Sequence, residues 1–255
     1  MKIALLHLNL SGGPEKENIS ALRHAISLAA EQGANWIVTP EMALQGYFFA
    51  KNDEPVEIPV QPGESMQVLC QLAARHGLTT FLGCAEKDAA TGKFYNSCLV
   101  IGPTGEVLGR HRKMHTHGVG AEVWVTTGNQ LAPVNCRDIT AGVLICADSW
   151  FMENSQGLKE KGAEVIVVLA AWPPSGEHGP GDCWERCSQT AELPVWVCNQ
   201  TGSYENLDLS KAESAVVVGG KTQFTYSSRE QAILLFDWDL GKQCTISRQF
   251  SVVAV

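Results

Sequence analysis

The sequence predicts an α/β protein, because amphipathic helices alternate with short and almost continuously apolar strands. Apolar residues recur at helical spacing in segments that end at a glycine, and uninterrupted apolar runs stand between those segments. Strands that are apolar along their whole length are typical of a sheet covered by helices. Neighbouring strands joined by a tight turn add antiparallel pairs, so the predicted sheets are mixed.

The first half of the chain opens with this alternation. Leu22, Ile26 and Ala29 lie on one face of a predicted helix, and Gly33 supplies its stop signal. A second helix has the same spacing, and a Gly-Pro-Thr-Gly turn at 102–105 joins a hairpin. The predicted elements are a strand at 3–8, a helix at 15–32, a strand at 36–38, a helix at 64–76, a strand at 78–84, and hairpin strands at 95–101 and 106–109.

The second half repeats the pattern and ends in strands. The run at 165–170 is apolar throughout and is bounded by a predicted helix on each side. The predicted elements are a strand at 141–146, a helix at 153–161, a strand at 165–170, a helix at 183–191, and strands at 195–198, 215–218, 223–226 and 232–238. We find no internal repeat and no low-complexity segment.

The composition of the chain is typical of a globular protein and argues against some classes of function. The chain has 255 residues, of which 45% are hydrophobic and 18% charged, enough for one large domain or two small ones. A formal net charge of −8 argues against a nucleic-acid binder, which needs a basic surface. No apolar stretch approaches the length of a membrane span, and the first ten residues are better explained by a strand than by a signal peptide. Nine scattered cysteines favour reduced thiols, so we expect a cytoplasmic protein.

Three chemically complementary residues stand where an apolar run gives way to a loop. Glu41 follows the strand at 36–38, Lys113 lies in a basic run after the hairpin, and Cys146 ends the strand at 141–146. Taken singly, each has an ordinary interpretation as an exposed carboxylate, a solvated cation or a buried thiol. Together, a thiol, a base and a fixed ammonium can attack a carbonyl-like carbon and stabilise the charge that develops.

The sequence around these residues resembles the nitrilase superfamily of carbon–nitrogen hydrolases. The stretch from Pro40-Glu41 to Gly46-Tyr47, and Lys113 between Arg112 and His115, match that family's motifs. Its nucleophile elbow reads Cys-x-Asp-x-x-Phe-Pro-Glu; Cys146 is followed by Asp148, Phe151 and Glu153 at matching positions, with Met152 in place of the proline. The resemblance covers nearly the whole chain and implies a single domain over 1–255, a four-layer α-β-β-α sandwich with two mixed sheets, and a homodimer or higher homo-oligomer.

The resemblance also implies roles for individual residues. Glu41 is expected to act as general base, Cys146 as nucleophile and Lys113 as the oxyanion stabiliser, with no metal or organic cofactor. Glu122 falls near a second family glutamate, although the loop that leads to it is short and Thr127 replaces a common proline. The expected substrate-binding residues are Tyr47, Glu122, Ala147, Trp150 and Trp172.

The residues after the nucleophile point to a substrate class. True nitrilases generally have Cys-Trp-Glu there, and dicarboxylate amide hydrolases have an arginine four residues after the cysteine; this chain has Ala147-Asp148 and Trp150. The pattern is similar to the N-carbamoylputrescine amidase branch, which favours a small amide or N-carbamoyl amine without an acidic group near the cleaved bond. Nitrile hydrolysis and a catalytically silent binding or scaffold member are the alternatives.

Two groups of histidine and cysteine residues are candidate metal sites. One contains His178, Cys183 and Cys187, and the other contains His111, His115 and His117. Neither has the paired spacing of an established zinc site. Glu185 lies in a Trp-Glu pair on a predicted helix, and a structural role for it is at least as plausible as a catalytic one.

Overall fold

The structure is a computed structural model that describes residues 1–50, 57–116, 118, 120–174, 179–204 and 207–255. Its helices and strands in chain order are β1 (Lys2–His7), α1 (Glu15–Glu31), β2 (Trp36–Val38), α2 (Glu64–His76), β3 (Thr79–Lys87), β4 (Phe94–Ile101), β5 (Val107–Arg112), β6 (Val134–Asn135), β7 (Thr140–Ile145), α3 (Met152–Glu160), β8 (Val165–Ala170), α4 (Cys183–Ala191), β9 (Val195–Asn199), β10 (Ser203–Tyr204), β11 (Leu207–Asp208), β12 (Ser214–Val218), β13 (Lys221–Tyr226), β14 (Ala232–Asp239), β15 (Cys244–Thr245) and β16 (Ser251–Ala254).

Two mixed sheets form the centre of the molecule. The first has the order β15-β14-β1-β2-β3-β4-β5, with β16 also paired to β14, and the second has the order β13-β12-β9-β8-β7-β6. Each contains three adjacent parallel strands, β1-β2-β3 in the first sheet and β7-β8-β9 in the second, flanked by antiparallel partners. β10 and β11 pair antiparallel with each other.

Alternation along the strands divides the core into two layers. In β1, Ile3 and Leu5 belong to the apolar cluster between the sheets, whereas Ala4 and Leu6 belong to the cluster under α1 and α2. The helices α3 and α4 cover the other side of the second sheet. The predicted four-layer α/β sandwich with two mixed sheets is therefore confirmed.

Aromatic residues fill the space between the sheets. Trp196 on β9 is fully buried, and its ring lies 5.9 Å from Trp36, 5.5 Å from Phe236 and 5.1 Å from Trp238. Each of these pairs is close to edge-to-face, the geometry that aromatic quadrupoles favour. Since the partners come from strands of the first sheet, these contacts fix the spacing of the two sheets.

The hairpin is longer than its sequence predicts. The predicted strand at 106–109 continues to Arg112, and β3 continues to Lys87, because the polar residues at these strand ends pair with one another. Glu86 on β3 accepts hydrogen bonds from Arg110 and Arg112 on β5. No helix in the described ranges is long and apolar enough to cross a lipid bilayer.

Candidate active site

Glu41 lies in a tight turn that begins three residues after β2. A Cβ on Gly83 of β3 would overlap the Pro40 carbonyl oxygen, so the glycine lets this turn cross the sheet. Met42 adopts a positive φ of 54°, a conformation that costs free energy and is common at functional sites. The Glu41 side chain is fully buried and accepts a hydrogen bond from the Ala171 backbone N–H at 3.1 Å, just past the end of β8.

Lys113 follows directly after β5 and is fully buried. Its ammonium Nζ donates to Glu41 Oε1 at 2.8 Å and to Glu122 Oε1 at 2.6 Å. Burial alone would lower the pKa of Lys113, but the surrounding negative charges, Glu41 foremost, hold that pKa well above its ordinary value. The side chain is therefore a fixed cation, and the expectation of a solvated cation does not apply to it.

Cys146 occupies a sharp elbow between β7 and a 3-10 turn over Cys146–Trp150. Its φ is 49°, a left-handed conformation rarely adopted by residues other than glycine. The thiol is buried beside Glu41 and Lys113, whose charges act on it in opposite directions. Burial first, and then the charge of Glu41, raise the pKa of Cys146 well above its ordinary value. The thiol is consequently protonated at neutral pH and needs a base to become a nucleophile.

Asp148 ties the elbow to the segment that carries the lysine. Its Oδ1 accepts the backbone N–H groups of Met114 at 2.9 Å and His115 at 2.8 Å, and its Oδ2 accepts that of Ile145 at 3.2 Å. His111 Nε2 lies 2.8 Å from Oδ2. Burial would raise the pKa of Asp148, but the hydrogen bonds from His111 and His115 hold that pKa well below its usual range. A buried carboxylate thus fixes Lys113 and Cys146 relative to one another.

Glu122 and Asn96 complete the polar centre. Glu122, in a 3-10 turn, is buried against Lys113 despite the shortness of the loop that precedes it. Asn96 Nδ2 donates to Glu41 Oε1 at 2.8 Å and to Glu122 Oε1 at 3.3 Å. Asn96 is a residue of this centre that no sequence motif above predicted. Asn96 lies two residues before Cys98 on β4, so both side chains point to the same face of the strand. Cys98 packs between the sheets, and a polar residue on that face could have been identified as a site candidate.

The other expected substrate-binding residues surround this centre. Burial raises the pKa of Tyr47 well above its ordinary value, and the charge of Lys113 acts in the opposite direction. Ala147 is half-buried beside the nucleophile. Trp172 is buried, and its ring lies 5.9 Å from that of Trp150, whose side chain is 40% exposed. Aromatic faces therefore extend outward from the elbow.

Several other candidate residues have structural contacts. Glu185 contacts Thr222 of β13 through a hydrogen bond. Cys187 donates to the Ser149 carbonyl, and Cys183 lies 3.7 Å from the Ser149 hydroxyl, so these two thiols support the elbow from α4. His117 and His178 lie outside the described residues. Among the residues that are described, no group of three His, Cys, Asp or Glu side chains is arranged to hold a metal ion.

The arrangement combines a protonated thiol, a carboxylate in contact with it and a fixed ammonium. Glu41 and Glu122, when ionised, outnumber Lys113, so the centre carries one net negative charge while the thiol is neutral. Proton transfer from the thiol to Glu41 moves a negative charge onto sulfur without adding to that total. A buried centre of this kind can form a covalent bond to an electrophilic carbon and stabilise the oxyanion that results.

Comparisons with known proteins show which family this chain is similar to. The family model for carbon-nitrogen hydrolases matches residues 2–230. Omega-amidase NIT2 of Mus musculus is 27% identical over 99% of this chain and 93% of its own length, and a citrullinase of Francisella tularensis is 28% identical over 82% and 77%. The crystal structure of Saccharomyces cerevisiae Nit3 superposes with a TM-score of 0.80 over 92% of this chain and 88% of that one, at 21% identity. That structural match establishes the shared fold.

Proposed function

The chain belongs to the carbon-nitrogen hydrolase family, and from that premise we propose that it is an amidase that cleaves a small non-peptide amide or N-carbamoyl amine through a thioester on Cys146. The observation that carries the proposal is the buried contact of Glu41 with both Cys146 and Lys113. These residues come from the ends of β2, β7 and β5, which belong to two different sheets. The similarity to an omega-amidase and a citrullinase supports amide and ureido bonds as the reactive groups.

The first half of the proposed reaction forms the thioester. Glu41 accepts the proton of the Cys146 thiol as the sulfur attacks the carbonyl carbon. The carbon–nitrogen bond then breaks, and Glu41 returns the proton to the departing nitrogen, which leaves as ammonia or an amine. In the second half Glu41 accepts a proton from water, the hydroxide oxygen attacks the thioester, and the proton returns to the sulfur as the acid is released.

Charge stabilisation in this scheme comes from groups that are already in place. The Lys113 ammonium is held by two carboxylates and does not need to move toward a developing oxyanion. The backbone N–H of Ala147, next to the nucleophile, is the second proposed oxyanion donor. Glu122 is proposed to orient the substrate nitrogen and the attacking water, since it shares Lys113 with the base.

The substrate proposed is one without a carboxylate near the cleaved bond. Trp150 stands four residues after the nucleophile and offers an apolar face, and two carboxylates already share one ammonium at the centre. A third buried carboxylate, brought by the substrate, would meet desolvation and like-charge repulsion. Neutral or cationic amides and carbamoyl amines avoid both penalties.

The experiment that tests the proposal is a screen of small amides, N-carbamoyl amines and nitriles for ammonia release. Cys146→Ala is the control for each substrate that is turned over, and dialysis of the enzyme against EDTA tests whether activity needs a metal. We expect release from at least one amide or carbamoyl amine, unchanged by EDTA and absent in Cys146→Ala. Release from nitriles alone, or release that survives Cys146→Ala, would contradict the proposal.

If no substrate releases ammonia, the protein is either a silent binding or scaffold protein or an enzyme whose substrate was not in the screen. Mass spectrometry after incubation with iodoacetamide distinguishes them, because an activated nucleophile is alkylated faster than seven of the remaining thiols, which are buried, and is protected by a candidate amide. Alkylation of Cys244 alone, the one partly exposed cysteine in the described chain, would favour the silent alternative.

A further inference from the structure

Asn96 contacts every charged member of the centre. Its Nδ2 donates to Glu41 Oε1 and Glu122 Oε1, the same two oxygens that accept from Lys113 Nζ. Its backbone carbonyl accepts the N–H of Lys113 at 2.8 Å. One residue of β4 therefore holds the lysine backbone with its main chain and both carboxylates with its side chain.

The chemistry of the amide suits this position. Two carboxylates that share one ammonium repel each other, and both are buried here. A carboxamide nitrogen has two N–H bonds, so it can donate to both carboxylates at once without adding a net charge. A lysine or arginine would instead add a second cation, and a hydroxyl could donate to only one oxygen at a time.

The other end of the same amide shows that this orientation is imposed. Asn96 Oδ1 is buried and has no hydrogen-bond partner among the described residues. Turning the amide over would place that oxygen against two carboxylate oxygens, which is repulsive. The hydrogen-bond network therefore identifies the atom that faces the carboxylates as the amide nitrogen. An unsatisfied buried acceptor is unfavourable, and it persists here because the nitrogen serves two acceptors.

We propose that Asn96 is a positioning residue that holds the Glu41 carboxylate apart from Glu122 and directed at the Cys146 thiol. The proposal rests on the proposed function, in which Glu41 is the base. The groups that face Glu41 are Asn96 from β4, Lys113 after β5, Glu122 from its 3-10 turn, Cys146 from the elbow, Tyr47 from the turn after β2 and the Ala171 N–H after β8.

Removing the donor has a defined kinetic signature. In Asn96→Ala the Glu41 carboxylate loses one hydrogen bond from a donor that favours its charged form, so the acidic limb of the kcat/KM profile moves to higher pH. We expect kcat to fall about 10- to 100-fold with little change in KM, because Asn96 contacts the base and is not among the proposed substrate contacts. In Asn96→Asp a third carboxylate joins the cluster, and the limb moves further in the same direction.

The measurement that does not need a substrate is the pH dependence of Cys146 alkylation. Iodoacetamide labelling is followed by peptide mass spectrometry across a pH series in the unaltered protein, Asn96→Ala and Asn96→Asp. Cys244 in the same samples serves as the reference thiol. We expect the acidic midpoint for Cys146 to rise in both variants while labelling of Cys244 is unchanged.

Two further variants separate positioning from general destabilisation. Asn96→Asp with Glu122→Gln restores two carboxylates and one amide, so its midpoint should return toward that of the unaltered protein even though turnover stays low. Ser188→Ala removes a fully buried hydroxyl that bonds Leu193 and Gly220 on α4's side of the second sheet, and it should leave the midpoint and kcat unchanged.

The outcomes distinguish this proposal from the proposed function. An unchanged Cys146 midpoint in Asn96→Asp and in the double variant would overturn the role of Asn96, whatever substrate is found. A shifted midpoint, corrected in the double variant, together with no ammonia release from any substrate, would support the role of Asn96 and count against the proposed function.

Discussion

At the scale of single residues, the centre depends on one buried cation between two carboxylates. Lys113 is fully buried, and its ammonium is the partner of both Glu41 and Glu122. Removing one partner of a buried ion pair leaves uncompensated charge, which typically costs about 3–5 kcal/mol. The Cys146 thiol is neutral, so its replacement leaves no buried charge without a partner. The two residues should therefore respond differently to substitution, although both are proposed to be essential for turnover.

We predict that Cys146→Ser and Lys113→Met each reduce kcat/KM by at least about a thousandfold, because the nucleophile and the oxyanion donor act as one unit. Only Lys113→Met should lower the free energy of unfolding substantially, by about 3–5 kcal/mol. Ammonia-release kinetics and urea unfolding on the same preparations check both parts. Retained activity in Cys146→Ser, or unchanged stability in Lys113→Met, would count against this account of the site.

Trp150 is the residue where specificity can be tested. The Arg186 guanidinium lies 5.7 Å from its ring centre and is paired with Asp182. We predict that amides with a free carboxylate near the cleaved bond are poorer substrates than neutral ones, and that Trp150→Arg shifts the kcat/KM ratio toward the acidic amides. Overall activity should fall, because the new guanidinium lies close to Arg186.

Arg186→Gln is the matched control for that prediction. It removes the neighbouring cation but leaves Trp150 in place, so the ratio of acidic to neutral amide turnover should not increase. If the unaltered protein hydrolyses a dicarboxylate monoamide as well as a neutral amide, and Arg186→Gln abolishes that activity, then Arg186 and not residue 150 selects the substrate charge.

At the scale of elements, Asp148 joins the elbow after β7 to the chain after β5. Its carboxylate accepts three backbone N–H groups and the ring N–H of His111. In Asp148→Asn one of the two oxygens becomes an NH₂ group that faces donors, so at least one hydrogen bond becomes a donor–donor contact. We predict a loss of about 2–4 kcal/mol in unfolding free energy and a fall in kcat larger than stability explains, because Lys113 shifts relative to Cys146.

Thermal or urea unfolding and kcat measured well below the unfolding transition check this prediction. Asn154→Ala is a suitable control, since the Asn154 side chain bonds the Asp148 backbone carbonyl at 2.8 Å, not its carboxylate, and also contacts His115 Nδ1 at 3.4 Å. It should reduce stability more than activity. Full activity in Asp148→Asn would mean that the two elements are held together without this carboxylate.

Much of the element order could be predicted from periodicity, because the central strands and the four helices are apolar on the faces that pack. The basic run at 110–115 is the segment whose burial was not predicted from periodicity. The run continues β5, so its side chains alternate: Arg110 and Arg112 face Glu86, whereas His111 and Lys113 are buried. A period of two places every second basic residue inside, but composition alone predicts a solvated loop.

Other features could not be predicted for physical reasons. The side chain of Asn96 bonds Glu41 and Glu122 across 55 and 26 positions, and that of Asp148 bonds His111, Met114 and His115 across 33 to 37 positions. Only the topology of the two sheets brings these residues together. The short strands β15 and β16 have two and four residues, too few to show a period, and most of β16 is exposed where it pairs with β14. By contrast, the elbow at Cys146 was predicted from the resemblance of its flanking residues, and its positive φ is consistent with that prediction.

At the scale of the whole molecule, the two sheets are joined by polar as well as aromatic contacts. His7, at the end of β1, is fully buried, and its Nδ1 lies 3.0 Å from the Ser214 hydroxyl of β12 in the other sheet. The ring also meets Tyr226 edge-to-face at 5.4 Å. The interface between the sheets therefore contains a titratable group. Homodimer formation through the outer helices stays a prediction, and sedimentation velocity would test it.

Burial lowers the pKa of His7 from 6.5 to about 4, with hydrogen bonds to backbone groups of Ser228 and Asn199 acting in the opposite direction. Between these two values the unfolded chain binds a proton at this position and the folded chain does not. Stability therefore rises with pH through this window and falls as the pH drops from 6.5 to 4, by about 3 kcal/mol at most. Below pH 4 both states are protonated, and His7 contributes no further loss.

We predict that His7→Gln, which keeps a hydrogen-bonding group between the sheets but does not titrate, removes this component of the pH dependence. Urea unfolding of both proteins at pH 7 and pH 4.5 measures it: the unaltered protein should lose more stability between the two conditions, by about 2–3 kcal/mol. Other groups titrate equally in both proteins and cancel in the comparison. Parallel losses in the two proteins would show that His7 becomes protonated without separating the sheets, and that the acid sensitivity of the fold arises elsewhere.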